Sequence, residues 1–251
     1  MVNKINLDEV VLAAKRAGLF LVSLQKDARR LEAAHKDFLT DADLESDKLI
    51  RELLVCFDSA IPIYSEEDGC SLLEQGRMWV VDPLDGTVNF FHQDQLWGVS
   101  LALIEDGRTK IGAVYLPILD EFFGATDQVE KIANTQFGVN SESRLAEAQI
   151  WTDWSKWADD TPALLDKLNR VSLYPQIRLC ATASLMAVAS GRISAYVHPH
   201  PAPEDFAAGA LIVEKAGGRV TDFSGKPWSV FSESLVASNG LLHDEILRAI
   251  A

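Results

Sequence analysis

The chain has 251 residues, 48% of them hydrophobic, and a formal net charge of −14. That length is ample for a buried core, as one large domain or two tightly packed ones. The acidic balance argues against a nucleic-acid partner, because phosphate backbones demand clustered Lys and Arg. No window offers ~18 uninterrupted apolar residues, so a membrane span is unsupported. The N-terminus lacks the basic-then-apolar pattern of a secretion signal. Cys56, Cys70 and Cys180 are odd in number and show no metal-ligand spacing, so reduced thiols in the cytosol are expected.

The chain alternates helix and strand patterns without repeats or low-complexity stretches. Asn6 with Glu9 resembles a capping box, and apolar residues at Val10, Val11, Ala14, Ala17 and Leu21 predict a helix reaching about Ala34. Thr40-Asp41-Ala42-Asp43 sits where a helix should begin, and a second helix is predicted over 43–57. Apolar runs at 61–63 and 79–81 read as strands. Segments 96–104 and 110–116 read as a hairpin about Glu105-Asp106-Gly107, and 119–125 as a further antiparallel strand. Beyond them come a strand near Ile150, a helix near 164–168 and a strand near Ile177. Helices over 182–189 and 203–216, strands at 193–197, 219–221 and 235–237, and a last helix near 243–250 complete the prediction.

The most informative segment is Trp79-Val80-Val81-Asp82-Pro83-Leu84-Asp85-Gly86-Thr87-Val88-Asn89-Phe90. An apolar run stops at Asp, Pro, Asp and Gly, where Pro83 fixes its own φ and Gly86 permits a backbone that other residues resist. Two carboxylates across such a turn, with the Leu84 carbonyl between them, suit Mg²⁺ or Mn²⁺. Taken alone, the string reads more plainly as a well-made turn with exposed acids. Two further acidic clusters, Tyr64-Ser65-Glu66-Glu67-Asp68 and Pro203-Glu204-Asp205, also stand at the ends of predicted elements. For the second, first-turn acids favoured by the helix dipole are the plainer reading.

SEED at 65–68, DPLDGTVNF at 82–90 and EDFAAGALIVEKAGG at 204–218 occur in the order and spacing of the inositol monophosphatase family, which the chain resembles over nearly its whole length. That family comprises Mg²⁺-dependent, lithium-sensitive phosphatases, with fructose bisphosphatases, histidinol phosphatases and nucleotide phosphatases among them. The resemblance implies an α+β fold layered α-β-α-β-α, with metals at the junction of two halves. Residues 1–135 would carry most of the metal ligands. Residues 136–251 would carry the last ligand and substrate-pocket residues. It implies that Glu66, Asp82, Asp85 and Asp205 supply metal-ligand carboxylates and Leu84 a carbonyl, for two or three Mg²⁺ ions with Mn²⁺ as an alternative. Glu66 and the pair Asp43 and Thr87 would serve catalysis, the pair by orienting or deprotonating the attacking water. The Gly86 and Thr87 amides would hold the substrate phosphate. A small-molecule phosphate ester as substrate and a homodimer follow from the same resemblance.

Departures from the family pattern fall in the pocket. Ala181-Thr182 replaces a Gly-Ser pair, His198 stands where a sugar-binding Glu is usual, and Glu204 stands where a Trp precedes the last Asp. These positions leave the alcohol open among inositol, sugar, histidinol and nucleotide phosphates. Two other classes remain at this point, a catalytically idle scaffold and an acidic protein that binds Ca²⁺ for stability. Trp151, Trp154 and Trp157 read as packing or interface residues, His92 as a structural histidine, and His198 with His200 as part of a rigid loop.

Overall fold

The computed structural model describes residues 5–32, 38–67, 71–128, 131–154 and 160–251. The first part of the chain forms α1 (Leu7–Leu24), β1 (Arg30–Leu31), β2 (Leu39–Thr40), α2 (Asp41–Val55), β3 (Ile63–Ser65), β4 (Arg77–Asp85) and α3 (Thr87–Phe91). It continues with β5 (Gly98–Glu105), β6 (Arg108–Leu116), β7 (Glu121–Thr126) and β8 (Lys131–Ala133). Then come β9 (Gln149–Thr152), α4 (Asp160–Val171), β10 (Tyr174–Ile177), α5 (Ala181–Ala189), β11 (Ala195–His198), α6 (Pro203–Lys215), β12 (Arg219–Thr221), β13 (Leu235–Ser238) and α7 (His243–Ile250).

The long elements fall where the hydrophobic pattern placed them, and the differences have local causes. Asn6 caps α1 by accepting the Asp8 amide at 3.1 Å. The helix ends at Leu24 rather than near Ala34, which lies outside the described residues. Past Leu24 the backbone finds other partners: the Arg29 amide donates to Asp41, and Arg30–Leu31 pairs with Leu39–Thr40. Thr40 caps α2, with Asp43 in its first turn. The hairpin turn at Asp106-Gly107 has φ of 51° and 73°, the left-handed pair whose twist matches two antiparallel strands. The short elements β1, β2, α3 and β8 carry too little pattern to be read from sequence.

Alternation along single strands divides the interior into layers. On β4, Trp79 and Val81 pack with α1 and α2, whereas Met78 and Val80 join a second cluster with α5 and α6. On β11, Tyr196 faces that same second cluster, while Ala195 and Val197 face a third built with α4 and α7. Successive side chains point to opposite faces, so each sheet is buried on both sides. The order is therefore α1/α2, the sheet β3-β4-β5-β6-β7-β8, the pair α5/α6, the sheet β10-β9-β11-β13-β12, and α4/α7. The first sheet is antiparallel except for β3 beside β4; the second is parallel across β10, β9 and β11. This is the layered α-β-α-β-α sandwich expected. Among the described residues no helix is long and apolar enough to cross a membrane.

The middle helices fit because their contact points lack side chains. A Cβ on Gly209 would stand 2.4 Å from Leu185 Cδ1 of α5, and one on Gly112 of β6 would stand 2.8 Å from the Ala208 carbonyl. Thr109 and Ser100 hydroxyls donate to the Ala207 and Glu204 carbonyls at 2.9 and 3.1 Å, fixing α6 along the first sheet. Gly209→Val should therefore push α5 from α6 and cost roughly 1–3 kcal/mol of overpacking strain. Thermal denaturation should show a clear fall in Tm; an unchanged Tm would mean that the two helices are not held this tightly.

Candidate active site

Asp82 and Asp85 are three residues apart on one strand, and simple alternation would send them to opposite faces. The pairing with β5 shows how they converge. Asp82 pairs with Ser100 and Asp85 with Gly98, so β4 contains one more residue than its partner. The extra residue is a β-bulge at Pro83-Leu84, and it returns Asp85 to the face of Asp82. Pro83 suits the interruption because it has no N–H to give the ladder. Its carbonyl accepts the Ser46 hydroxyl at 2.9 Å, and Asp82 Oδ1 accepts the Leu84 amide at 2.9 Å. The segment read as a strand-ending turn is thus a bulge within a strand that continues to Asp85.

Gly86 follows with φ 83°, ψ 38° and begins α3. The left-handed region and the crowding explain the glycine: a Cβ would meet the Leu96 carbonyl at 2.9 Å and Cys180 Cβ at 3.2 Å. Thr87 then lies against α2. Its hydroxyl is 2.9 Å from Asp43 Oδ1 and 3.1 Å from the Leu84 carbonyl. Asp43 is fully buried, and its Oδ2 accepts both the amide and the hydroxyl of Thr40. One carboxylate therefore caps its own helix and orients the Thr87 hydroxyl.

The last acid arrives on α6. Pro203 opens that helix, which places Asp205 in its first turn, beside α5 and the first sheet. Ligand oxygens of Asp82, Asp85 and Asp205 all lie within 4.8 Å of one another. Burial pushes the Asp85 carboxyl up, and the Thr182 and Ala181 amides, the Thr182 hydroxyl and the Cys180 thiol draw it partly back. Burial raises Asp205 further, followed by the charges of Asp85, Asp82, Glu204 and Glu66. Every large charge acting on Asp205 is another carboxylate, the donor set that a hard divalent cation requires. Glu66, just beyond β3, is near enough to perturb Asp205 but is not one of the three within 4.8 Å.

Of the pocket residues, Ala181 and Thr182 are the first two residues of α5, both buried, and the Thr182 amide donates to Asp85 Oδ2. His198 ends β11 with its ring 5.2 Å from that of Phe206, next to Asp205 in the chain. Its Nδ1 accepts the His200 amide at 3.1 Å, so the proton of the neutral ring resides on Nε2. Burial, then the charge of His200, lowers its pKa to about 4, which keeps it neutral near pH 7.

Sequence reasoning passed over Asp153, which follows β9 and is buried. Its Oδ2 accepts the Tyr196 hydroxyl, and burial is the main cause that raises its pKa to about 6, with the Asp85 charge adding to it. An acid at the end of a strand was the very pattern used for Glu66 and Asp82, but here three nearby tryptophans drew the reading to packing. Trp151 does pack against the middle layer, with the Arg178 guanidinium 4.6 Å from its ring centre; Trp154 is exposed, and Trp157 lies outside the described residues.

Known proteins share this sequence pattern and fold. The sequence profile of the inositol monophosphatase family matches residues 6–251. The fructose-1,6-bisphosphatase/inositol-1-monophosphatase of Thermotoga maritima is 35% identical over 218 residues, 86% of this chain and 83% of that protein. The histidinol-phosphatase of Mycobacterium tuberculosis is 33% identical over 224 residues, 84% of each. A solved IMPase structure from Thermotoga maritima matches with a TM-score of 0.88 at 31% identity, covering 97% of this chain and 96% of that one. The clustered aspartates thus lie in a fold and a sequence of one ancestry, and the chain belongs to the inositol monophosphatase family.

Proposed function

We propose that this chain is a Mg²⁺-dependent phosphomonoesterase that hydrolyses a small polyol or sugar phosphate by direct attack of water. The observation that carries the reading is the convergence of Asp82, Asp85 and Asp205 within 4.8 Å beside the Asp43–Thr87 pair. Asp82, Asp85, Asp205, Glu66 and the Leu84 carbonyl would hold two or three Mg²⁺ ions, or Mn²⁺ in their place. Such ions supply Lewis acidity to water and to the phosphoryl group, and stabilise the departing alkoxide.

The protein's own part is orientation. Asp43 accepts the Thr87 proton, so the Thr87 oxygen presents its lone pairs to a water and fixes that water's direction of attack. The water's proton passes along the same pair towards Asp43. The amides of Gly86 and Thr87, at the bulge and the start of α3, hold the phosphate oxygens. No serine or cysteine nucleophile is needed, so no phosphoenzyme forms. At the alcohol end, the neutral His198 can donate from Nε2 to a ring or phosphate oxygen, where a glutamate would accept from two sugar hydroxyls.

Phosphate release should be measured with Mg²⁺, Mn²⁺, Ca²⁺ or chelator across inositol 1-phosphate, fructose 1,6-bisphosphate, histidinol phosphate and 2′- and 3′-nucleotide phosphates. Mg²⁺-dependent release is expected, with Ca²⁺ inhibitory. Silence on every ester from a folded, metal-binding protein would turn the reading to the idle scaffold. A homodimer, lithium inhibition and a cytosolic setting are family expectations, the first two checked by sedimentation and by the same assay.

Asp85→Asn should lower kcat by at least about 10²-fold with the fold intact, because it removes a ligand charge; near-normal turnover would remove Asp85 from the metal set. Metal-free stability should move the other way. Carboxyls whose folded pKa is raised contribute stability that is full below the ordinary Asp value and lost as pH rises through the folded pKa. Both Asp85 and Asp205 are of this kind. With chelator at pH 8, Asp205→Asn should therefore melt above the parent chain, whereas added Mg²⁺ should raise the Tm of the parent more than that of the variant. The reverse order in differential scanning calorimetry would contradict the like-charge account.

A further inference from the structure

Between β10 and α5 the chain passes through Arg178, Leu179 and Cys180, and Leu179 has φ 55°. A leucine in the left-handed region is uncommon, and such a conformation persists only where its surroundings determine it. One side chain distant in sequence grips this turn. Asn89 Nδ2, from α3, is within hydrogen-bond reach of three carbonyls: Leu96 at 2.7 Å, Arg178 at 3.0 Å and Leu179 at 3.3 Å. The Arg178 amide also donates to the Thr152 carbonyl at 3.2 Å.

The turn leads directly into α5. Cys180 caps that helix through its sulfur, and the Thr182 amide donates to Asp85 Oδ2. A shift of the turn thus moves the amides that set the direction and basicity of one carboxylate in the cluster. We propose that Asn89 is a positioning residue for Asp85: through the carbonyls of Arg178-Leu179 it holds Leu179 left-handed and keeps the Thr182 amide at the start of α5 on the Asp85 carboxylate. The inference rests on the metal-site reading above. It adds to that reading a brace made by a residue outside the proposed ligand set.

The test is Mn²⁺ binding to the full chain, read by the electron paramagnetic resonance of free Mn²⁺, with Tm recorded in chelator. Asn89→Ala should weaken binding about tenfold, the lower end of the usual cost of losing a partner of a metal ligand. Asn89→Asp should be worse than Asn89→Ala, since it places an anionic oxygen against three carbonyl oxygens. Leu179→Gly added to Asn89→Ala should recover part of the affinity, because glycine keeps the left-handed turn without help. Thr221→Val removes a similarly buried hydrogen bond, to His243, in the outer layer. It should lower Tm and leave Mn²⁺ affinity unchanged. Unchanged affinity in Asn89→Ala, or an equal loss in Thr221→Val, would overturn the brace while the metal site stands. Absence of Mn²⁺ binding to the parent chain would overturn the metal reading and the brace with it.

Discussion

Three carboxylates within 4.8 Å of one another are the feature to which the rest of the molecule answers. At an effective dielectric near 20, each fully ionised pair at that separation is repulsive by at least about 3 kcal/mol. A free chain would not gather them. They stay together because each belongs to a different rigid feature: Asp82 to a strand, Asp85 to the far side of a bulge, and Asp205 to a helix pinned between two sheets. The helices α2, α5 and α6 all begin at this point, with Asp43, Thr182 and Asp205 in their first turns. Helix N-termini carry partial positive charge, so the fold offsets part of the repulsion without placing a lysine or arginine where a cation must bind.

The proposed divalent ions would reconcile this site with the net charge of −14. An acidic surface would repel a phosphate ester, but a site that concentrates divalent cations reverses the field where the ester docks. Recognition of the alcohol is a separate matter. On the proposed reading it would fall to residues such as His198, which burial keeps neutral and which is oriented by the His200 amide and the ring of Phe206.

Much of this was legible in the sequence because its signals are local. Periodicity gave the long helices and strands, and the run from Asp82 to Phe90 gave the chemistry and, by resemblance, the layered fold. The bulge was not legible. It is defined by a partner strand, and Pro83 with Gly86 reads equally well as a turn. Asp153, Tyr196 and Asn89 were missed for a related reason. Their meaning lies in contacts such as Asn89 to Leu179 and Thr182 to Asp85, separated by 90 and 97 positions, and no short pattern encodes these. Glu66 was legible as a ligand candidate by its place after a strand, yet only the structure separates it from the tighter group of three.

The order of strands in the first sheet has a bearing on biogenesis. From β3 to β8 each strand pairs with its neighbour in sequence, so this meander needs few distant contacts to form. Asp205 leaves the ribosome more than a hundred residues after Asp82, and the two can meet only where α6 lies along the first sheet. A cation that requires all of these oxygens has no complete site on a nascent or truncated chain, and its binding energy accrues only to the finished fold. On the proposed metal reading, acquisition of the ion would report that synthesis and folding are complete. A cell short of the metal would accumulate chains that are fully made and correctly layered, with like charges left facing one another at their centre.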